Sequence, residues 1–552
     1  MNAAEAPYGR LQLDGDRWVL SDVPPHVAIR LKNMFQRISK TQTKMFTLPA
    51  SNEMSADLAW FMERYPFEMS ASDARFLKRR VRSFNDDRAS TEAILLPGWQ
   101  APPIRGFRPG RGLRFHQAQA FELVKRRGSL LLGDDVGFGK TWVAMARAME
   151  RRPAAVVVQS HLATQWVNKF IVPNTELTAH IIDGTQPYSL PAADTYIFRY
   201  SNIHGWTDVA ATGYFKLVAY DEIQDLRTGD TSEKGRAARV FSENAEERLG
   251  LSATPVFNYG SEIWSIMSYI DADLLGPWEE FIREWCHMGA GGKWMVTDPD
   301  ALGSYLREAG AFLRRVRDGR PINRIVVDVA YDHGEAAKTE DLARQLAMKV
   351  VEGSFGESGQ AARELDALAR RVTGMAKAKG VAAYAKILLS SGIPIILAGW
   401  HRDVYQIWLD ELKEFKPLMY TGSETGRQKD KAVAAYLRRE SDCFIISLRS
   451  GAGLDGLQER CATVIVGELD WSPQIYEQLF GRVDREGQKQ TEITAIFCTC
   501  DFGSDPTIMS VNAVKRDQAR GITDPGVGII PVHTDVSHIK LLAQEYLERS
   551  NA

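Results

Sequence analysis

One pattern constrains the fold of this chain more than any other: short apolar, β-branched runs closed by turn residues and separated by amphipathic stretches, in two separate series. SLLLGDD at Ser129, AAVVVQS at Ala154, DTYIFRY at Asp194, KLVAYDE at Lys216 and RLGLSAT at Arg248 form the first series. IPIILAGW at Ile393, CFIISLRS at Cys443, ATVIVGEL at Ala462 and ITAIFC at Ile493 form the second. Uninterrupted apolar strands alternating with amphipathic helices are what a parallel sheet covered on both faces requires. Two α/β lobes with parallel sheets are therefore predicted, which suits 552 residues, too many for one hydrophobic core.

Around these lobes the pattern predicts smaller pieces. Between Arg10 and Pro66, RLQL, RWVL and MFTLP read as strands, and HVAIRLKNMFQRI and ADLAWFMERY read as helices, giving a small α/β module. A basic stretch, RFLKRRVRSFNDDR, and a Pro/Gly-rich linker, PGWQAPPIRGFRPGRG, follow. The expected division is an accessory module and linker over 1–100, lobe one over 101–273, a mostly helical inter-lobe region over 274–389, lobe two over 390–525, and a C-terminal helix over 526–552. DGRPINRIVVDV is the expected extended segment of the inter-lobe region.

Composition excludes more than it selects. With 44% hydrophobic and 25% charged residues the chain reads as globular, and a formal charge of -2 means that any nucleic-acid surface must be a local stripe. Basic runs at Arg75 to Arg82, Arg108 to Arg114 and Arg314 to Arg324 are the candidates. Cys286, Cys443, Cys461, Cys498 and Cys500 form no C-x-x-C pair and no zinc spacing, so free thiols are expected. No signal-like start and no run long enough to span a bilayer is present, so a cytoplasmic protein without membrane contact is expected, and a monomer is the separate expectation for its assembly.

LLLGDDVGFGKTWVAMARAMERR places a strand, a glycine-containing turn and an amphipathic helix in the order a phosphate-binding loop needs. Gly137 and Gly139 let backbone N–H groups approach phosphate, Lys140 can reach the β and γ phosphates of ATP, and Thr141 can ligate Mg2+. Asp134 stands where the strict pattern has glycine. In KLVAYDEIQDL a strand ends on Asp221, suited to hold Mg2+, and Glu222, suited to orient and deprotonate a water.

These motifs and their order resemble helicase superfamily two, and within it the Swi/Snf-like and RapA/HepA-like translocases, over roughly Leu113 to Ile522. The resemblance implies two RecA-like P-loop lobes. DDVGFGKT is similar to that branch's D-E-x-G-x-G-K-T, which has aspartate at the position of Asp134, and Gln117 matches an upstream glutamine that reads adenine. Ser160, Gln165 and Trp166 resemble an S-L-L-x-Q-W element near the DNA-facing side, Trp166 being read as packing. Ser252 and Thr254 fall in the S-A-T segment that links hydrolysis to lobe movement, and SEIWSIMSYI resembles the E-L-W-S-L-L-x-F-L helix after it. Ser447 and Arg449, with Gly451 and Gly453, resemble the motif joining the DNA track to the ATP site.

ELDWSPQIYEQLFGRVDREGQKQ resembles the D-W-N-P and Q-x-x-x-R-x-x-R-x-G-Q block, which includes Trp471. Gln478, Arg482 and Arg485 are expected on one helical face, where arginine can neutralise charge on the transferring phosphoryl group. Gln224 departs from the family by replacing its histidine, so coupling between hydrolysis and DNA engagement is expected to change.

What the resemblance implies is a DNA-dependent ATPase translocating on double-stranded DNA and remodelling or reannealing branched replication or recombination intermediates, with replication, recombination or transcription proteins as partners. A strand-separating helicase and a RapA-like polymerase-displacing factor use the same motor. A nucleic-acid-binding scaffold with a vestigial ATP site is the non-enzyme alternative. The N-terminal segment faintly resembles the accessory domain of HepA-related annealing helicases, and a simple folding cap is the equal alternative there.

Overall fold

The computed structural model describes residues 7–256, 260–289, 294–316, 322–337, 355–448, 456–485 and 487–509, together with a few single positions. Arg449, Gly451, Gly453 and the expected C-terminal helix over 526–552 lie outside the described residues.

The N-terminal module is an antiparallel sheet of β1 (Arg10–Asp14), β2 (Arg17–Ser21) and β3 (Met45–Pro49) in that order. Helices α1 (Pro25–Met34) and α2 (Asn52–Arg64) pack on it, and α2 starts on a Ser51 cap that accepts from the Met54 N–H. Trp18, Phe46, Leu31 and Leu58 are fully buried between them, and the Trp18 indole donates to Ser55 at 2.9 Å. The basic stretch continues this module as a 25-residue helix, α3 (Ala71–Leu95), capped by Ser70. The linker starts only after it and lies along lobe one, where the Arg108 side chain donates to the Val172 carbonyl at 2.7 Å.

Lobe one opens with α4 (Phe115–Arg127), β4 (Ser129–Leu132) and α5 (Lys140–Glu150). Its further strands are β5 (Ala154–Val158), β6 (Ala179–Ile181), β7 (Thr195–Arg199), β8 (Leu217–Asp221) and β9 (Glu247–Leu251). A hairpin of β10 (Cys286–Met288) and β11 (Trp294–Val296) precedes β12 (Phe312–Leu313). The seven-stranded sheet runs β12-β4-β9-β8-β5-β7-β6, and every ladder in it is parallel. Arg147, fully buried on α5, clamps that helix to β9 by a two-pronged bond to Glu247 at 2.7 and 2.9 Å. The phosphate-loop helix is thereby fixed to the sheet.

Lobe two is a six-stranded parallel sheet of β13 (Ile322–Asp328), β14 (Ile395–Gly399), β15 (Leu418–Tyr420), β16 (Cys443–Ser447), β17 (Thr463–Val466) and β18 (Ile493–Thr499), ordered β13-β18-β17-β14-β16-β15. The expected inter-lobe region 274–389 is shared out between the sheets. β12 pairs with β4 in the first, β13 pairs along its seven residues with β18 in the second, and the long helix Phe355–Ser390 packs on lobe two. Two-residue β12 is too short to show as a run in sequence.

All five cysteines are free. Among the described residues no helix is long and apolar enough to cross a membrane.

Candidate active site

The strand-to-helix turn after β4 builds the first half of the site. Gly139 caps α5 at φ 75, and a Cβ there would lie 2.5 Å from the Gln117 side-chain nitrogen, so conformation and space both demand glycine. Gly137, at φ 89, also takes the left-handed form. Lys140 Nζ donates to the carbonyls of Asp134 at 2.7 Å and Asp135 at 3.3 Å. Burial holds its pKa below the usual lysine value, against the opposing fields of Glu222, Asp134, Asp221 and Asp135. An ammonium bonded to loop carbonyls inside a carboxylate cluster is a cation that an arriving phosphate can recruit. Thr141 follows as the second residue of α5.

Two residues assigned to nucleotide binding have structural partners. The buried Asp134 carboxylate is taken up by Arg315, whose backbone N–H and Nε each donate to Oδ1 at 3.0 Å while Nη2 pairs with Oδ2. Asp134 therefore ties the phosphate loop to the segment after β12. Arg315 lies 181 positions away, and no sequence signal links the two. Gln117 is buried as well: its carbonyl accepts the Arg114 N–H at 2.9 Å and its amide donates to the Phe138 carbonyl at 2.8 Å. In this arrangement the amide stabilises the loop.

β8 delivers the acidic pair. Asp221 ends the strand, and its carboxylate accepts the Trp166 indole N–H at 2.8 Å. Burial, and next the neighbouring Glu222, push the Asp221 carboxyl up to about 7. Two carboxylates forced together out of water form a donor set that a divalent cation would satisfy, and Asp221 with Thr141 are the groups that would hold Mg2+. Trp166, read in sequence as packing, is fully buried and also orients this carboxylate. Glu222 adopts φ 56, uncommon for a residue with a side chain, and so leaves the strand direction at once. The Gln224 amide donates to the Glu222 carboxylate at 2.6 Å.

Lobe two supplies the facing half. The helix Pro473–Phe480 presents Gln478, whose amide donates to Thr254 Oγ1 in lobe one at 3.1 Å, while the Thr254 N–H donates to buried Ser252 at 2.9 Å. A Cβ on Gly481 would come 3.1 Å from the Val136 side chain in the phosphate loop. The expected single helical face is corrected here: the helix ends at Phe480. Tight turns follow, in which the N–H groups of Arg482 and Val483 donate to the carbonyls of Leu479 and Phe480 at 3.2 and 3.0 Å. Arg482 and Arg485 sit on those turns. Burial, then nearby Arg485, bring the Arg482 guanidinium down to about 10, while Glu222 acts in the opposite direction.

The remaining assigned residues are dispersed. Ser160 is exposed in a short turn after β5, Gln165 lies near it, and Ser447 ends β16. Trp471, assigned to coupling, packs in the lobe-two core with its indole N–H on Asp366 at 2.5 Å. A large amphipathic ring near a helix start fills a core more economically than it serves a wet surface.

A phosphate loop and an acidic strand end in one parallel-sheet lobe, faced by two arginines and a glutamine from a second, define a two-lobed P-loop ATPase core. Residues 55–297 match the SNF2-related domain. The chain is 25% identical over 386 residues to the SWI/SNF-related matrix-associated actin-dependent regulator of chromatin subfamily A-like protein 1 of Xenopus laevis, covering 66% of this chain and 39% of that protein. It is 20% identical over 443 residues to the DNA repair protein rhp54 of Schizosaccharomyces pombe, covering 65% and 51%. Among solved structures, the Sulfolobus solfataricus SWI2/SNF2 ATPase core in complex with dsDNA is similar with a TM-score of 0.37 and 17% identity, over 77% of this chain and 96% of that one. The match to the SNF2-related domain takes in the phosphate loop and the acidic strand end, and the relatives that the chain resembles include SWI/SNF-related proteins. It spans about two-fifths of the length of the Xenopus relative.

Proposed function

We propose that the chain is a DNA-dependent ATPase that translocates on double-stranded DNA and remodels or reanneals branched intermediates. The observation that carries this reading is the meeting of the lobes at the phosphate loop, through Gln478 on Thr254 and Gly481 against Val136. A site assembled from two rigid lobes converts a change at the nucleotide into relative movement of the lobes. In this scheme Lys140 pairs with the β and γ phosphates, Glu222 orients the attacking water and takes its proton, and Arg482 and Arg485 neutralise charge on the transferring group. Bound Mg2+ supplies further charge neutralisation at the phosphates.

Nucleic acid enters through local basic surface. On α3, Arg75, Lys78, Arg79 and Arg82 are exposed at helical spacing of three and four, which places four cations on one face. The Xenopus relative and rhp54 bear names tied to chromatin and DNA repair, which supports a DNA substrate here. Hydrolysis of ATP measured with and without linear duplex tests the reading: duplex should raise kcat. DNA affinity should fall linearly on a log-log plot as salt rises, with a slope set by the phosphates contacted. Unchanged kcat with DNA, or affinity indifferent to salt, refutes it.

A further inference from the structure

The interface between the lobes contains two buried polar atoms that lack partners, and they belong to opposite lobes. Gln224, in lobe one, is 3% exposed, and its amide nitrogen is used on Glu222, but its carbonyl oxygen has no hydrogen-bond partner among the described residues. Arg482, in lobe two, is 6% exposed; its Nε donates to the Gln478 carbonyl at 3.3 Å, whereas its buried Nη1 has no partner among the described residues. A buried acceptor or donor left unpaired is costly, and here a donor and an acceptor of that kind lie on opposite sides of one site.

Both groups face the same carboxylate. Gln224 bonds Glu222 directly, and Arg482 acts on Glu222 through its charge. Arg482 is also four residues beyond Gln478, which already bonds lobe one, and next to Gly481, which abuts the phosphate loop.

We propose that Gln224 and Arg482 form a latch across the lobes, in which Arg482 Nη1 donates to the Gln224 side-chain carbonyl when the lobes close, and through which closure sets the position of Glu222. Gln224 is thus a positioning residue. With its carbonyl held by Arg482, its amide can orient only one way, and the Glu222 carboxylate it holds is fixed for the attacking water. Glutamine offers a donor and an acceptor of unlike kind, which fits a carboxylate on one side and a guanidinium on the other. The latch rests on the function proposed above and deepens it, because it names how lobe closure reaches the general base.

A double-mutant cycle on the full chain tests it, with Gln224→Leu and Arg482→Lys, the latter keeping the charge but losing the fork. Each single variant should lower DNA-stimulated kcat about tenfold to a hundredfold, the effect of one hydrogen bond to a charged group, with the KM for ATP changed less than about twofold. The double variant should be no slower than the slower single one. Losses that multiply overturn the latch, as does a Gln224→Leu protein whose KM rises while kcat holds. If Gln224→Leu does not fold, unbranched Gln224→Met takes its place in the same cycle. If duplex DNA fails to stimulate the unaltered protein, the reading of function fails, and the cycle is scored on basal kcat; multiplying losses in a protein that DNA does stimulate overturn the latch alone.

Discussion

Lobe one meets its two neighbours in opposite ways. Toward the N-terminal module the contact is saturated around Arg37, which is 6% exposed and donates through Nε to Glu284 at 2.5 Å and through Nη2 to the Leu274 carbonyl at 2.9 Å, while Tyr305 donates to Glu53 at 2.9 Å. The Arg283 side chain closes the ring on the Arg37 carbonyl at 3.1 Å. Toward lobe two, the Gln478 amide donates to Thr254 and Arg314 pairs with Asp524, while the Gln224 carbonyl oxygen and Arg482 Nη1 stay unpaired among the described residues. A saturated ionic contact resists rearrangement, because breaking it strands a buried charge. An unsaturated contact has somewhere better to go. The module should therefore travel with lobe one as one body, while lobe two moves.

The largest effects should separate these interfaces by what they damage. Lys140→Ala, Glu222→Gln and Arg485→Ala should each lower kcat by roughly a hundredfold or more, as expected for loss of a charge contact made in the transition state, with little change in melting temperature. Steady-state hydrolysis and thermal melting on the same preparations check this. Near-normal turnover in Arg485→Ala would remove Arg485 from the chemistry and leave Arg482 as the one lobe-two charge assigned to it.

Next comes the saturated side. Arg37→Ala removes one partner of a buried pair and should cost about 3 kcal/mol of docking, because Glu284 keeps its charge out of water. Melting should then show an early separate transition for the module while duplex-stimulated kcat of the folded motor survives. A matching loss of kcat would mean that the module is part of the motor's working geometry. The same variant sharpens the question of the module's role, since remodelling of a synthetic fork can be scored on a protein whose motor is intact.

The sequence revealed these two interfaces unequally, and the reason is range. Strand runs such as AAVVVQS and CFIISLRS declare themselves, because a strand buried on both faces must be apolar throughout; β5 and β16 lie where those runs predict. The phosphate loop and the Asp221–Glu222 strand end were equally legible, since their chemistry is written in consecutive residues. Contacts between distant residues were not. Nothing around Arg37 announces Glu284, nothing around Asp134 announces Arg315, and the polar pattern RFLKRRVRSFNDDR hid a helix because α3 buries few side chains, Leu77 and Ile94 among them. The stop at Gly481 also escaped, since three- and four-residue spacing fits a continued helix and a series of tight turns alike.

A smaller effect falls at the acidic strand end. Trp166→Phe keeps the buried ring but deletes the N–H that holds the Asp221 carboxylate at 2.8 Å. Loss of an outer partner to a ligating group typically weakens metal binding ten- to a hundredfold. Half-saturating Mg2+ for hydrolysis should accordingly rise about tenfold, with kcat at saturating Mg2+ nearer to normal. An unchanged Mg2+ requirement would leave Trp166 as packing alone.

The smallest effect tests whether every charge in the saturated contact contributes. Burial holds the Glu53 carboxyl above its ordinary pKa, with the Tyr305 hydrogen bond and the Arg37 charge opposing that shift and losing. The folded protein therefore binds the proton more readily than the unfolded chain does, so stability falls as pH rises from the unfolded pKa through the raised folded one. Glu53→Gln keeps a carbonyl to accept the Tyr305 hydroxyl and removes the charge. At pH well below the ordinary glutamate pKa the variant and the parent should melt together; above the raised pKa the variant should melt higher, by roughly 1–2 °C, as about half a kcal/mol would produce in a large domain. Scans of melting temperature against pH on both proteins measure the difference directly. A variant that melts lower at neutral pH would show that Arg37 draws on Glu53 as well as on Glu284, and that the contact with the module depends on both carboxylates.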